Sequence, residues 1–241
     1  MKPVLIICTG KAPAAIRGRN GDFPHWFRLG SGLRINQIRA VDIVAGDKLP
    51  APREVAGAII TGSASMVTER ASWSERCAGW VRDAMDVDLP LFGVCFGHQL
   101  MAHALGGRVD YLPGGREIGT QPISVLPAGD GDHLALPQNF RAHTTHEQSV
   151  LEPPVGSTIL ARSARDPHQL LRYGSHAIST QFHPEFSAEI MRAYIRRKHL
   201  EMRREGADPR EVFKAVAATP IARRLLFRFA RHHGWTSPPL K

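Results

Sequence analysis

The chain has 241 residues, of which 43% are hydrophobic, and it carries a formal net charge of +9; this length provides for one sizeable core. Its three cysteines, Cys8, Cys77 and Cys95, are too few and too widely spaced for a disulfide framework or a Cys-x-x-Cys metal site, and reduced thiols favour the cytoplasm. The charge excess lies wholly in residues 191–241, which hold 13 Lys and Arg against 4 Asp and Glu; such a pattern is more typical of a solvated basic face than of a nucleic-acid-binding surface.

Short β-branched runs alternate with amphipathic segments in the first part of the chain. The opening run of about six apolar residues in MKPVLIICTG is too short for a secretory signal or a membrane span, and it predicts a strand at 4–7 instead. Further strands are predicted at 41–44, 55–60 and 89–94. This order favours a three-layer α/β fold in which helices flank a mostly parallel central sheet.

The segment 107–182 has a different pattern, because its strand-like pieces are separated by turns rich in Gly, Pro and Asp. We expect these pieces to be antiparallel or edge additions to the sheet. From Ser187 onward the chain is predicted to be helical, with start signals at Ser187, Asp208 and Pro220 and stop signals at Gly206 and Gly234.

The C-terminal segment 190–241 is expected to be a basic helical extension that packs on the preceding domain, 1–189, and is not an independent domain. Its apolar residues recur at three- and four-residue spacing and form stripes that need a cover: Ile190, Tyr194, Ile195, Leu225, Leu226 and Phe229. Its arginines are expected on an outward face: Arg196, Arg197, Arg203, Arg204, Arg223, Arg224 and Arg231. That face suits an acidic partner, a phosphorylated acceptor or only a solubilising surface.

The stretch LPLFGVCFGHQLMAHALGG places a cysteine between a buried strand and a helix predicted over 99–105. Gly93 and Gly97 flank Cys95 in a Gly-x-Cys-x-Gly turn, the context of a nucleophile elbow in which cysteine replaces serine. A helix N-terminus favours a thiolate, and the amide of Phe96 can donate to an oxyanion. The alternative is that Cys95 is a small, buried apolar side chain.

A partner base is predicted at STQFHPEFS, where His183 and Glu185 stand two residues apart. In an extended segment such residues share a face, so the carboxylate can orient the imidazole and stabilise its protonated form. Pro184 between them stiffens the unit. Together with Gly-x-Cys-x-Gly, this pair indicates nucleophilic catalysis rather than a surface histidine beside an unrelated acid.

The motifs GVCFGHQ and QFHPEF together resemble those of the class I, or triad-type, glutamine amidotransferases, and within them stand-alone proteins similar to the glutaminase domain of GMP synthase. The resemblance covers about residues 1–190 and includes NGDFPHWF at 20–27. It implies a flavodoxin-like α/β fold for 1–189. It also implies that Cys95 is the nucleophile, His183 the base and acid, and Glu185 the orienting carboxylate.

The same resemblance implies the remaining parts of a site. The segment ITGSASMV lies where the family has its second oxyanion donor, so Gly62 is expected to act with Phe96; many members have Gly-Gly-Pro where this chain has Thr-Gly-Ser, and Ser63 stays an alternative to Gly62. Substrate-binding candidates are Gln99 and, in THEQSV, His146, Glu147 and Gln148. His146 is alternatively a loop histidine that structures a turn.

No metal or cofactor is expected. A zinc site formed by His143, His146 and Glu147 lacks a further ligand at a recognised spacing. The implied reaction is hydrolysis of L-glutamine through a γ-glutamyl thioester, with ammonia passing to a separate synthetase subunit, because no Walker-type nucleotide motif is present. The alternatives are hydrolysis of a γ-glutamyl peptide or γ-glutamyl amine with the same triad, and a binding module without catalytic activity.

Overall fold

The computed structural model describes residues 2–127 and 134–236. Within these ranges the strands are β1 (Val4–Cys8), β2 (Ile38–Asp42), β3 (Gly57–Ile60), β4 (Leu91–Val94), β5 (Arg108–Tyr111), β6 (Glu117–Val125), β7 (Asn139–His146), β8 (Gln148–Glu152), β9 (Thr158–Arg162), β10 (Leu170–Arg172) and β11 (Ala177–Thr180). The helices are α1 (Ala14–Asn20), α2 (Phe23–Ser31), α3 (Ser72–Met85), α4 (Phe96–Ala104), α5 (Ala188–Arg197), α6 (His199–Arg204), α7 (Pro209–Lys214) and α8 (Pro220–His232).

The main sheet has the strand order β2-β1-β3-β4-β11-β10-β9-β6-β7, and β5 and β8 form a separate pair. The strands from β2 to β11 are parallel, and the strands from β11 to β7 are antiparallel to their neighbours. The predicted α/β fold with its parallel central sheet and flanking helices is therefore confirmed.

Strand β11 differs from the expectation that residues 107–182 add only antiparallel or edge strands. It lies inside the sheet and runs parallel to β4, with Ala177 opposite Leu91 and Thr180 opposite Val94. All its residues are buried. The residue pattern of a short strand indicates that the strand is buried but not which strand lies next to it. The position of β11 inside the sheet was therefore not predicted.

Alternate residues of β1 face two separate cores, which makes the fold three-layered. Val4, Ile6 and Cys8 belong to a core that includes residues of α1, α2, α5 and α8. Leu5 and Ile7 belong to the opposite core, which includes residues of α3 and α4. In α3, Trp73, Cys77 and Trp80 all pack in this second core.

Strand β2 begins and ends earlier than the predicted range 41–44. The amide of Ala45 donates to Oδ1 of Asp42 at 3.0 Å, and the amide of Asp42 donates to Oδ2 of Asp47 at 2.9 Å. These carboxylates turn the chain directly after Asp42 and withdraw Ile43 and Val44 from the strand. Strands β3 and β4 each begin two residues later than predicted, at Gly57 and Leu91.

The C-terminal segment consists of several short helices, and the expected continuous helix from Ser187 to Gly206 is interrupted at Lys198, between α5 and α6. Ser187 Oγ accepts from the Ile190 amide at 3.2 Å, and Asp208 Oδ1 accepts from the Arg210 amide at 2.8 Å, so both residues cap helices.

The stripe residues predicted to need a cover are buried in the first core: Ile190, Tyr194, Ile195, Leu225, Leu226 and Phe229. The seven arginines predicted to face outward are all exposed. A domain boundary near residue 189 stays a prediction, since α5 and α8 share a core with the α/β sheet. In the described residues no helix combines the length and the apolar character needed to cross a membrane.

Candidate active site

Cys95 lies in the sharp turn between β4 and α4. Its backbone has φ 54° and ψ −104°, a region that side-chain-bearing residues rarely adopt and that is associated with functional turns. A methyl group on Gly93 would lie 2.6 Å from the carbonyl oxygen of Gly97, and one on Gly97 would overlap the carbonyl oxygen of Ile60. Helix α4 begins directly after Cys95 rather than at residue 99, so the helix N-terminus adjoins the sulfur.

His183 and Glu185 follow β11 in a turn rather than in the extended segment expected from the sequence. Nδ1 of His183 donates to Oε1 of Glu185 at 2.7 Å, with both residues buried. The carbonyl of Thr180, at the end of the same strand, accepts from the Cys95 amide at 2.8 Å. Strand β11 therefore connects the histidine to the elbow, and the pairing of β4 with β11 brings the two motifs together.

Gly62 lies next to both Cys95 and His183. A methyl group on Gly62 would lie 3.1 Å from Cε1 of His183 and 3.6 Å from Cβ of Cys95. The carbonyl of Gly62 accepts from the hydroxyls of Thr9 and Thr61, each at 3.1 Å, which holds the peptide after β3 in a fixed orientation. The amide of Phe96, as the first residue of α4, has no partner within its helix. Gly62 and Phe96, the two expected oxyanion donors, thus both lie next to Cys95.

The charges of the site favour an ion pair between Cys95 and His183. Burial alone would raise the pKa of the Cys95 thiol, but the adjacent charges of His183 and then His146 lower it below its usual value. Burial lowers the pKa of His183, yet the charges of Glu185 and Cys95 outweigh this and raise it to about 10. In the same chain, burial raises the pKa of both Cys8 and Cys77 to about 12. Cys95 is therefore the one of the three thiols whose pKa is shifted toward the thiolate.

The predicted substrate residues Gln99 and Gln148 are both buried in the wall of a cavity of about 230 Å³ that opens at Cys95 and His183. Nε2 of Gln99 donates to the carbonyl of Gln148 at 2.7 Å and to Oε1 of Gln181 at 3.0 Å. Nε2 of Gln148 donates to Thr68 at 2.6 Å, while its Oε1 is buried without a hydrogen-bond partner among the described residues. This oxygen is an acceptor suited to a ligand.

His146 also lines the cavity, but both of its ring nitrogens are engaged by the protein. Nδ1 lies 2.9 Å from the Gln148 carbonyl and Nε2 lies 3.0 Å from Oε2 of Glu117. Burial opposes protonation, yet the hydrogen bond to Glu117 raises the pKa of His146 above its usual value. His146 thus has both ring nitrogens engaged by the protein, which leaves neither free for a substrate.

His143 and His146 do not converge, contrary to the zinc alternative. They stand three residues apart on β7, so their side chains point to opposite faces of the sheet. Nδ1 of His143 lies 3.1 Å from the hydroxyl of Thr120. Within the described residues, no group of three ligand-type side chains is arranged to hold a metal ion.

The basic residues of the cavity wall were not predicted from the sequence as part of a site. Arg116 and Lys198 pair with the predicted candidate Glu147, at 2.7 and 3.5 Å. Arg197, predicted on the outward basic face, also lines the cavity. No motif marks these basic residues, because they reach the site from separate elements.

A stack of rings supports His183 from the side of the C-terminal helices. The imidazole lies 4.0 Å from the ring of Phe186, which in turn lies 4.9 Å from that of Tyr194 in α5. Trp26 of α2 packs edge-on against Phe186, and Phe23 packs against Trp26. The segment 20–27, whose role the sequence does not reveal, therefore braces the wall behind His183.

Comparison with known proteins shows which family the chain matches. The family model described as glutamine amidotransferase class-I matches residues 36–202. Gamma-glutamyl peptidase 5 of Arabidopsis thaliana is 28% identical over 139 residues, which cover 56% of this chain and 55% of that protein. A glutamine-hydrolyzing GMP synthase subunit of Methanopyrus kandleri is 32% identical over 130 residues, covering 54% of this chain and 66% of the relative.

The matched segments thus span between about half and two thirds of these curated relatives. A solved glutamine amidotransferase from Thermotoga maritima superposes with a TM-score of 0.77 over 97% of this chain and 98% of that one. At 20% identity this likeness supports the fold alone.

Proposed function

This chain belongs to the class I glutamine amidotransferase family, and on that premise we propose that it releases ammonia from L-glutamine through a γ-glutamyl thioester on Cys95. The observation that carries the proposal is the convergence of Cys95, His183 and Gly62 at one end of a cavity sized for an amino acid or a dipeptide. This cavity lies below the range of about 300–1,000 Å³ typical of larger ligands.

The first half-reaction uses the Cys95–His183 ion pair. The Cys95 thiolate attacks the γ-carbonyl carbon, and the amides of Phe96 and Gly62 donate to the oxyanion that forms. When this intermediate collapses, the carbon–nitrogen bond breaks and Nε2 of His183 gives its proton to the departing nitrogen. Ammonia leaves and the γ-glutamyl group stays on the sulfur.

The second half-reaction reverses these roles. Neutral His183 takes a proton from water, which attacks the thioester carbonyl. The oxyanion again accepts from Phe96 and Gly62, and the carbon–sulfur bond breaks to release glutamate. The thiolate and the imidazolium are restored, with Glu185 stabilising the charge on His183 through Nδ1.

A group of charged and polar side chains in the cavity suits the charges of an α-amino acid. The Glu147 carboxylate and the unpartnered Oε1 of Gln148 can accept from the α-ammonium group. Arg116 and Lys198, which pair with Glu147 in this structure, can donate to the α-carboxylate. Gln99 contributes indirectly, because its Nε2 holds the Gln148 carbonyl in place.

The proposal is tested by incubating the full chain with L-glutamine and measuring both glutamate and ammonia. We expect equal amounts of the two products, and loss of both in the Cys95→Ala variant. Cys77→Ala is the matched control, because that cysteine is buried in the opposite core. Product release by Cys95→Ala at the rate of the unaltered protein would exclude the mechanism.

A second function, hydrolysis of γ-glutamyl peptides or amines, uses the same steps with an amine in place of ammonia. It is favoured by the relatives named gamma-glutamyl peptidase. Delivery of ammonia to a separate synthetase subunit is favoured by the relative named as one subunit of GMP synthase. A panel of γ-glutamyl compounds beside glutamine distinguishes the two, because only a peptidase cleaves the larger compounds with a higher kcat/KM.

A further inference from the structure

The cavity at Cys95 carries more positive charge than recognition of an amino acid needs. Four basic side chains among the described lining residues, Lys11, Arg116, Arg197 and Lys198, face a single carboxylate, Glu147. The zwitterionic end of a γ-glutamyl group brings one positive and one negative charge. Recognition of that end accounts for Glu147 and its two basic partners but not for Lys11 and Arg197.

The pairing of these residues separates them into two groups. Arg116 and Lys198 both contact Glu147, and Arg116 also pairs with Glu205 at 3.1 Å. Lys11 contacts a carboxylate outside the cavity, Asp42, at 3.0 Å. Arg197 has no acidic side chain within ion-pair distance in the described part of the chain. Its guanidinium is thus free for an anionic ligand.

Arg197 lies on the side of the cavity where the leaving group must depart. His183 gives its proton to the departing nitrogen, so any substituent on that nitrogen extends along the wall beside His183. That wall is formed by the ring stack to Tyr194, and Arg197 lies one helical turn beyond Tyr194 in α5. Lys11 reaches the same cavity from the loop before α1, which packs against α5.

Two carboxylates lie near this wall, Glu185 and Asp22, and both are bound by the protein. Oε1 of Glu185 accepts from Nδ1 of His183. Oδ1 of Asp22 accepts from the amides of Ala12 and Phe23 at 2.8 and 2.9 Å, and its Oδ2 lies 3.9 Å from Arg17. Both oxygens of Asp22 are therefore engaged by the loop and by α1.

We propose that Arg197, assisted by Lys11, binds a carboxylate carried by the leaving amine, so that the preferred substrates are γ-glutamyl amino acids rather than neutral γ-glutamyl amines of equal size. This inference rests on the proposed γ-glutamyl thioester chemistry. It assigns a specificity-determining role to a residue of the C-terminal helices. The reaction itself is unchanged: the carbon–nitrogen bond breaks and a free amino acid departs in place of ammonia.

The test compares γ-glutamylalanine with γ-glutamylalaninamide, which differ by one negative charge. Release of alanine or alaninamide by the full chain measures kcat/KM for each. We expect the carboxylate to be preferred by about twofold to fivefold at low ionic strength, as is typical of one partly exposed charge pair. The preference should fall as salt is raised to about 0.5 M, because exposed charges are screened.

Arg197→Gln, alone and with Lys11→Gln, is expected to bring this ratio close to one. Arg196→Gln is the matched control: it removes an equal charge from the adjacent position, where the guanidinium lies over the ring of Phe213 at 4.9 Å, and it should keep the ratio. Calorimetry measures the dissociation constants of both dipeptides with the Cys95→Ala protein. The ratio of these two constants does not depend on turnover.

An equal preference for the two dipeptides in the unaltered protein, or an unchanged ratio in Arg197→Gln, would overturn the inference. Cleavage of glutamine without cleavage or binding of either dipeptide would overturn it too and would leave the proposed function intact. If nothing is cleaved, the proposed function fails. The ratio of the two dissociation constants measured by calorimetry still decides whether Arg197 recognises a carboxylate.

Discussion

The ring of Phe186 lies parallel to the imidazole of His183, with centroids 4.0 Å apart and an interplanar angle of 18°. On the same histidine, Nδ1 is held by Glu185 at 2.7 Å. The imidazole is therefore fixed by a ring against its face and a carboxylate at its edge. These two contacts leave Nε2 as the nitrogen that can exchange protons with Cys95 and the substrate.

Phe186→Leu is expected to lower kcat about tenfold with little change in KM, because the imidazole loses its flat support while the substrate wall is kept. Steady-state kinetics with glutamine measure both constants. Phe140→Leu is the control, since it also replaces a buried ring by a smaller side chain. The ring of Phe140 packs against that of Phe182, with centroids 5.7 Å apart, and is not part of the ring stack on His183. A rise in KM alone, or equal losses in both variants, would contradict a positioning role for Phe186.

Glu185→Gln is expected to be milder than Cys95→Ala or His183→Ala. The amide oxygen of Gln still accepts from Nδ1 of His183, but the negative charge that stabilises the imidazolium is lost. We expect a fall in kcat of about 10–100-fold for Glu185→Gln and of about 10³-fold or more for the other two. The double variant of Cys95 and Glu185 should be no slower than Cys95→Ala. Additive losses would show that the residues do not act as one unit.

Cys95 is expected to be the one thiol that iodoacetamide alkylates near pH 7. Peptide mapping of the alkylated protein identifies the labelled cysteine. The pKa of Cys95 is lowered, so its thiolate is present above that value and is lost only as the pH falls through it. Cys8 and Cys77, with pKa values of about 12, stay protonated and buried.

The pH dependence of this alkylation checks its cause. In His183→Ala, burial remains but the main compensating charge is gone, so the midpoint of the rate should move to higher pH. Label on Cys8 or Cys77, or a midpoint that does not move, would contradict the proposed ion pair.

Phe229→Ala is expected to destabilise the protein by about 3–5 kcal/mol, because this ring is 1% exposed and its loss leaves a cavity between α8 and the sheet. It packs edge-on against Phe92 of β4 at 5.2 Å. Thermal or denaturant unfolding measures the change. Leu200→Ala, at a position 56% exposed, should change stability by about 0.5 kcal/mol or less.

A chain that ends after Ser187 tests the same packing as a whole. It should be poorly soluble and unfold at lower temperature, because Phe92 and the inner face of α2 lose their cover. A truncated protein as stable as the full chain would show that the C-terminal helices do not support the α/β domain.

The features that depend on local chemistry were predictable from the sequence. A methyl group on Gly93 would meet the carbonyl of Gly97 four residues later, and this steric demand is visible in the motif itself. Gly97, in contrast, is crowded by the carbonyl of Ile60 on β3, a contact that the motif does not show. The apolar stripes of the C-terminal helices also follow from spacing alone, and their six residues are buried as expected.

Only the tertiary structure decided which distant residues share the site. The position of β11 beside β4 joins His183 to Cys95, but strand order depends on pairing between segments more than eighty residues apart. The basic residues of the cavity come from the loop after β1, from the turn before β6 and from the end of α5. The sequence pattern around each of these residues indicates only that its charge is exposed. Long-range packing, which local pattern does not encode, makes the exposed Arg197 part of the cavity wall as well.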